Sequence, residues 1–495
     1  MGQVLARGDL YHLVSDKTIS AVATLPTMSF RLFLLCSFVL LGRPQDILPF
    51  LQPLRPALFL TVLAVGAMVF GARRQELSAA LSTSEAKRYL LFYLIMIVGI
   101  PFAYHRRVAF ESVFEGYVVN MLFFVLVISQ VTSLQRLKSL VWVICLCTVT
   151  YSVFGGLLQA EDVRGGRVNL VGRMFDPNDT ALLLVSLFPL CLYFLRFDEG
   201  LLKRLVAVAA IVGAIAVILQ TGSRGGILGF GAVLLILLLM KAGGIGKSYK
   251  WLIVVMFVST LLFFRDTIDV ARYLTLTDIS SDYNLSSKGG RLELWQAAID
   301  LSFANPITGV GVNCYTWAHY LARAAAGESY LRYHAIHNSY LQISAEMGLI
   351  GFGIFMFIIV RSFSTFLRMG RIQVQPETRE ISEMRALGGF MLLGFMGLLV
   401  SGFFLSQGYS LLFTLYFGLA AAVGRLQGSS SVWYSSSQEA SLSFAKADRN
   451  TRLTEVDVRD TEARIRLTEV KELTAELATD GTGSRAGSAG APSRH

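Results

Sequence analysis

Arginine set among glycines, and histidine set beside a helix-starting asparagine, are the residues of this chain best placed to do chemistry. Four clusters hold them. The first, GGRVNLVGRMFDPNDTALLL at 165–184, has a Gly-rich approach, then Arg173, then Asp176-Pro177-Asn178-Asp179 leading into an apolar run. Pro, Asn and Asp end a loop and cap a helix, which by itself accounts for 176–179. Arg164, Arg167 and Arg173 exceed that need. The second, TGSRGG at 221–226, is the whole connection between two apolar runs. It sets Arg224 at a helix N-terminus, where guanidinium and backbone amides together suit a phosphate. An arginine reaching for lipid phosphate would occupy the same place. The third, KGGRLELW at 288–295, puts Arg291 after two glycines. It opens an expected amphipathic helix (Leu292, Trp295, Ala298, Ile299) lying on a membrane surface, where ordinary helix charge would also explain the arginine. A Pro/Gly turn, NPITGVG at 305–311, follows. The fourth is HAIHNSYLQISAEMGLIGFG at 334–353. Asn338 or Ser339 suits a helix cap, but His337 does not, and only its side-chain type exchanges a proton near neutral pH. The bland alternative for His337 is a polar interface residue. Glu346 lies about 80° round the helix from Asn338 and is expected to face the bundle and hold a polar partner.

The elements that must position these clusters are membrane helices. Of 495 residues 54% are hydrophobic and only 16% charged, with 34 Phe and 18 Tyr, which excludes both an ordinary soluble domain and a disordered chain. Cys36, Cys145, Cys147 and Cys191 fall inside apolar runs and Cys314 stands apart, so neither a disulfide scaffold nor a zinc site is offered. Apolar runs long enough to count as spans recur near 28–42, 56–71, 88–104, 116–131, 139–158, 180–195, 205–220, 226–240, 251–264, 339–360, 386–405 and 409–424. With the N-terminus cytoplasmic, the inside loops hold 17 Lys and Arg and the short outside loops 8, so both ends are expected in the cytoplasm. The first run has no small-residue cleavage site before it and is read as a retained span.

These runs divide the chain into a cytoplasmic segment 1–27, a bundle 28–425 and a tail 426–495, with an outside loop at 265–338 long enough to be functional. The tail is low in complexity, repeats RLTEV at 452–456 and 466–470, and reads as a partly helical solvated segment more readily than as a coiled-coil partner site. The formal charge of +10 sits mostly in inside loops, where it orients the bundle, so nucleic acid is not an expected partner. Glu346 is the one carboxylate in the twelve runs, and no pair of Gly/Pro-broken helices stands in matching halves, which argues against an ion-coupled transporter.

Taken in order, GRMFDPND, TGSRGG, GGRLELW with NPITGVG, and HNSYLQISAEMGLIG resemble the O-antigen ligase family of bacterial inner-membrane glycan transferases, over about residues 165–365. RPQDILPFLQPLRP at 43–56 resembles the start of the exosortase-associated O-glycosylation ligases within it. The resemblance implies a GT-C-like bundle of about twelve transmembrane helices with a large periplasmic loop between helices nine and ten. It implies a metal-independent, inverting glycosyltransferase that needs no cofactor and moves a glycan from undecaprenyl pyrophosphate. The acceptor would be lipid A core in a ligase, a growing chain in a polymerase, or protein in an O-oligosaccharyltransferase; family frequency favours the ligase. Arg224 and Arg291 match the family's essential arginines and His337 its essential histidine. Arg173, Asn178, Asn338 and Glu346 are the expected substrate-binding residues. The rivals are a transporter of sugars, lipids or anions and, last, a membrane scaffold.

Overall fold

A computed structural model describes residues 28–71, 74–157, 176–198, 200–239, 247–265, 273, 290–327, 334–373 and 377–429. All belong to the first of the chain's two units, Met1–Ser429, the second being Ser430–His495. Arg173, the segment 1–27, the RLTEV repeats and most of 265–290 lie outside the described residues.

Among the described residues the regular elements are all helical. The longer ones are α1 (Met28–Gly42), α2 (Pro56–Val69), α3 (Arg74–Leu81), α4 (Ser84–Gly99), α5 (Arg106–Gln130), α6 (Leu134–Leu157), α7 (Pro177–Phe197), α8 (Leu201–Gln220), α9 (Arg224–Leu239), α10 (Lys247–Phe263), α11 (Arg291–Ala304), α12 (Tyr315–Ala325), α13 (Ser339–Gly370), α14 (Arg379–Gly402) and α15 (Leu411–Ser429). Apart from α3, α11 and α12, these fall on the apolar runs read from the sequence. Seven stretches, ending in α2 or forming α5, α6, α7, α8, α13 and α14, are long and apolar enough to cross a membrane. The chain is therefore an all-α polytopic membrane protein. The other five, α1, α4, α9, α10 and α15, run from 15 to 19 residues.

α7 and α14 form the centre. α7 is buried almost without interruption from Thr180 to Phe194 and packs on α14, α6, α8 and α9, while α14 also meets α13. The outer helices show apolar faces instead: Phe59 and Val62 on α2, Leu235 and Leu239 on α9, Val255 and Leu262 on α10 are exposed. Hydrocarbon supplies no hydrophobic drive between such helices, so their association rests on close packing and small residues. At Gly394 of α14 an added Cβ would collide with the Tyr416 hydroxyl and the Ser186 carbonyl, groups that bond to each other at 2.6 Å.

Three features differ from the sequence reading. α14 begins at Arg379 and not near 386, which brings Glu383 into the bundle, 4% exposed and paired with Lys138 at 2.8 Å and Arg379 at 3.1 Å. The apolar run alone hid this, because a buried carboxylate with two cationic partners is tolerated where an unpaired one is not. α13 is not continuous: Gly348 has φ 69° and ψ −179° and breaks it. α11 buries Leu294, Ala298 and Ser302 against α13, reached by a Ser344 to Ser302 hydroxyl bond of 3.0 Å, while Leu292 is exposed.

Gly394→Ala is expected to cost about 1–3 kcal/mol through overpacking. Gly231→Ala, whose Cβ meets nothing within 4 Å, is the matched control. Thermal unfolding of the two purified variants in detergent checks the difference; equal midpoints would contradict this packing.

Candidate functional site

The site is assembled around the eight-residue connector from Phe403 to Ser410 that joins α14 to α15. Ser406 Oγ accepts the His337 N–H at 2.8 Å. Ser339 Oγ donates to Leu405 O at 2.6 Å and accepts the Gln407 N–H at 3.0 Å. Gln407 Nε2 donates to Asp179 Oδ1 at 2.8 Å, and the Gly408 N–H donates to Gln342 Oε1 at 3.1 Å. The connector thus ties the first turn of α13 to the first turn of α7. It also abuts α9, because a Cβ on Gly225 would stand 2.8 Å from Phe404 Cβ.

Each helix that starts here does so for a local reason. Asp176 Oδ1 accepts the Asn178 N–H at 2.8 Å, and Pro177 supplies the pre-set first residue of α7. Ser223 Oγ accepts the Gly226 N–H at 3.1 Å and starts α9 at Arg224. Gly290 precedes Arg291 at the start of α11. Asn338 Oδ1 accepts the N–H groups of Tyr340 and Leu341 at 2.9 and 3.0 Å and starts α13. Four first turns gathered at one end present a partial positive charge to which Arg224 and Arg291, both half-buried, add full charges.

His337 and Arg291 are brought together. The Trp295 indole donates to Ile336 O at 3.0 Å and stands edge-on to Phe403 at 5.3 Å, pinning α11 against the strand of chain that carries the histidine. Burial, first, and then the Arg291 charge hold the His337 imidazole below its ordinary 6.5, with His334 acting the same way and Asp176 opposing. The ring is therefore neutral at pH 7 and able to accept a proton. Its backbone is left-handed, φ 54°, which costs a side-chain-bearing residue about 1–2 kcal/mol and is held by the Ser406 bond on one side and the Asn338 cap on the other.

Of the expected substrate-binding residues, Asn178 lies half-buried in the first turn of α7, its amide Nδ2 donating to Asp176 Oδ1 at 2.5 Å. Asn338 is 1% exposed and its side-chain oxygen is spent on the cap. Glu346 does face the bundle and does hold polar partners, two of them backbone: Oε2 accepts the Asn313 N–H at 2.9 Å and Oε1 the Tyr315 N–H at 3.3 Å. It lies about 12 Å further along α13 than Asn338. Where α13 breaks at Gly348, the NPITGVG turn fills the gap. Val310 N–H donates to Ala345 O at 2.9 Å, Gly311 N–H to Glu346 O at 3.0 Å, and Leu349 N–H to Pro306 O at 2.7 Å. Ser406 and Gln407 were not read from the sequence, since a three-residue polar gap between two spans carries no signal beyond a turn, nor was Gln342, a lone amide in the first turn of α13.

An all-α, multi-pass membrane protein with arginine and a neutral histidine converging at one end is the class these features define. Residues 208–356 match the family model Wzy_C, O-antigen ligase. The matched stretch includes Arg224, Arg291, His337, Asn338 and Glu346 and ends before the 403–410 connector. It supports a glycan-transferring role, as ligase or polymerase, with glycan and lipid-linked substrates. No curated protein matches the chain.

Glu346→Ala leaves the part-buried Asn313 N–H and the buried Tyr315 N–H without their acceptor, the buried one at about 1–3 kcal/mol. Amide hydrogen exchange at Asn313 and Tyr315 is expected to accelerate at least tenfold in that variant, and unchanged exchange would remove the anchoring role.

Proposed function

We propose that this chain transfers a glycan from undecaprenyl pyrophosphate to an acceptor hydroxyl at the periplasmic face of the bacterial inner membrane, with lipid A core as the preferred acceptor. The observation that carries the reading is the placement of Arg291 beside a neutral His337, at the end of the bundle where α7, α9, α11 and α13 begin. His337 takes the proton of the acceptor hydroxyl as its oxygen attacks the anomeric carbon from the face opposite the leaving group. The bond from that carbon to the pyrophosphate oxygen breaks, and undecaprenyl pyrophosphate departs. Arg224 and Arg291 pair with its oxygens and stabilise the charge that develops there, a role for which the guanidinium fork is suited. Arg173 is a third candidate for this clamp, and Asn178, in the first turn of α7, is a candidate for contact with the donor. Asn338 and Glu346 act through backbone, the one fixing the start of α13 and the other fixing the loop beside it. In-line displacement of this kind inverts the anomeric centre and asks for no metal, the arginines supplying the positive charge.

Purified protein given lipid-linked glycan and each acceptor tests this directly. A shifted lipid A core band is the expected result; a ladder on the donor would make the chain a polymerase, labelled protein an oligosaccharyltransferase, and no transfer with any acceptor would sink the reading. His337→Ala and Arg224→Ala are each expected to lower the rate at least a hundredfold, the scale of losing a proton acceptor or a charge-stabilising donor.

The rate should also depend on pH through His337. Its proton affinity is depressed, so the active neutral form is lost only as pH falls below the ordinary 6.5, and the acid limb of the rate lies under that value. Arg291→Gln removes one of the depressing charges. The midpoint of the residual activity, or of the imidazole NMR titration, then moves up toward 6.5, whereas a downward or absent shift would separate Arg291 from His337.

A further inference from the structure

At the end of the bundle opposite His337, a cleft of about 470 Å³ opens between the first turns of α6, α8 and α14 and the last turn of α7. Its wall has two characters. One side is apolar and aromatic, with Leu34, Trp142, Val143 and Phe194. The other is ionic, with Lys138, Lys203 and Arg379 set against Asp198 and Glu383. Glu383 is compensated within the protein, taking both Lys138 at 2.8 Å and Arg379 at 3.1 Å. Asp198 takes Lys203 at 2.9 Å and the Gly200 N–H at 2.9 Å. The lining therefore keeps one positive charge in excess, and the two cations at its mouth are the more accessible ones: the Lys203 side chain is 47% exposed and that of Arg379 61%. The pair with Asp198 uses one of the three donors a lysine ammonium carries.

The surroundings say what medium the mouth faces. Leu201, Leu202 and Leu205, which flank Lys203 and Arg204 on the first turns of α8, are 71%, 73% and 56% exposed. Leucines this bare beside lysine and arginine are stable at the boundary between acyl chains and headgroups, where the stems lie in hydrocarbon and the charges reach the phosphate layer. Lys203 also stands 5.9 Å from the Trp142 ring, and tryptophan favours that same boundary.

We propose that this cleft binds an anionic glycerophospholipid of the leaflet at that end, its phosphate held between Lys203 and Arg379 and the upper part of one acyl chain laid along Leu34, Trp142 and Phe194. A soluble phosphate would use the same two cations but would leave the aromatic wall uncovered. The site is separate from the glycan-transfer reading and stands whether or not that reading holds.

Full-length protein purified in a neutral detergent, freed of lipid and then titrated with phosphatidylglycerol, phosphatidylcholine or inorganic phosphate, tests the proposal by native mass spectrometry and by the thermal midpoint. Phosphatidylglycerol is expected to bind and raise the midpoint, with the other two weaker by at least tenfold. The Lys203→Gln/Arg379→Gln double variant should lose phosphatidylglycerol affinity roughly thirtyfold, two interfacial cations each contributing about fivefold. Lys203→Arg keeps the charge and should keep the binding, which distinguishes loss of a site from loss of fold. Equal affinity of wild type and double variant, equal binding of phosphatidylcholine, or a full shift from inorganic phosphate alone would each overturn it.

Discussion

A peptide group inside hydrocarbon has no water to bond, so wherever the chain leaves the helix at membrane depth another part of the protein must supply the partner. This constraint governs the two irregular places on which the site depends. At Gly348 the carbonyls of Ala345 and Glu346 lose their helical donors, and the NPITGVG turn replaces them with Val310 and Gly311. Between α14 and α15 the connector's own amides are taken up by Ser339 and Gln342. Both repairs converge on the first turns of α13. Because the same bonds that satisfy the backbone also join α13 to the connector and to the loop before α12, the position of His337 follows from how the peptide groups are satisfied.

Upon that frame the electrostatics are simple. Helix starts, Arg224 and Arg291 give one end of the bundle a positive character, and a buried imidazole close to such charge stays unprotonated. A positive pocket attracts an anionic leaving group, and the same field keeps the neighbouring base in its working form. The two halves of the proposed chemistry thus share the positive field, with burial of the imidazole as the larger contribution to the second. At the other end of the bundle, arginine and lysine are paired with Asp198 and Glu383, which leaves only a small positive excess around the cleft there.

The bundle itself was legible in the sequence because hydrophobic length is a strong signal in a chain with so little charge. Arg224, Arg291 and His337 stood out for the complementary reason, that polar residues in apolar or glycine-rich company need an explanation. Glu346 was seen to turn inward, but two of its partners are N–H groups of a loop distant in sequence, and nothing in a residue's type announces a backbone partner. Ser406 and Gln407 were invisible for the same reason. The face that α11 turns to α13 was not legible, because Leu292 and Leu294 are equally apolar and only the presence of α13 decides between them. Glu383 was left outside the eleventh span because charge pairing across helices, unlike hydropathy, leaves no trace along one strand of sequence.

The break at Gly348 has a mechanical side. It makes the segment from Ser339 to Met347 a short arm, fixed at its base by Glu346 and the 306–311 turn and carrying His337 at its tip. Over an arm of about 12 Å, a tilt of about 10° moves the tip by roughly 2 Å. On the proposed chemistry that is the difference between contact and no contact with the reacting groups. The clasp at the base therefore acts as the bearing of a lever whose tip is held in turn by the Ser406 and Trp295 bonds, so that on the proposed chemistry both ends set the reach of the imidazole.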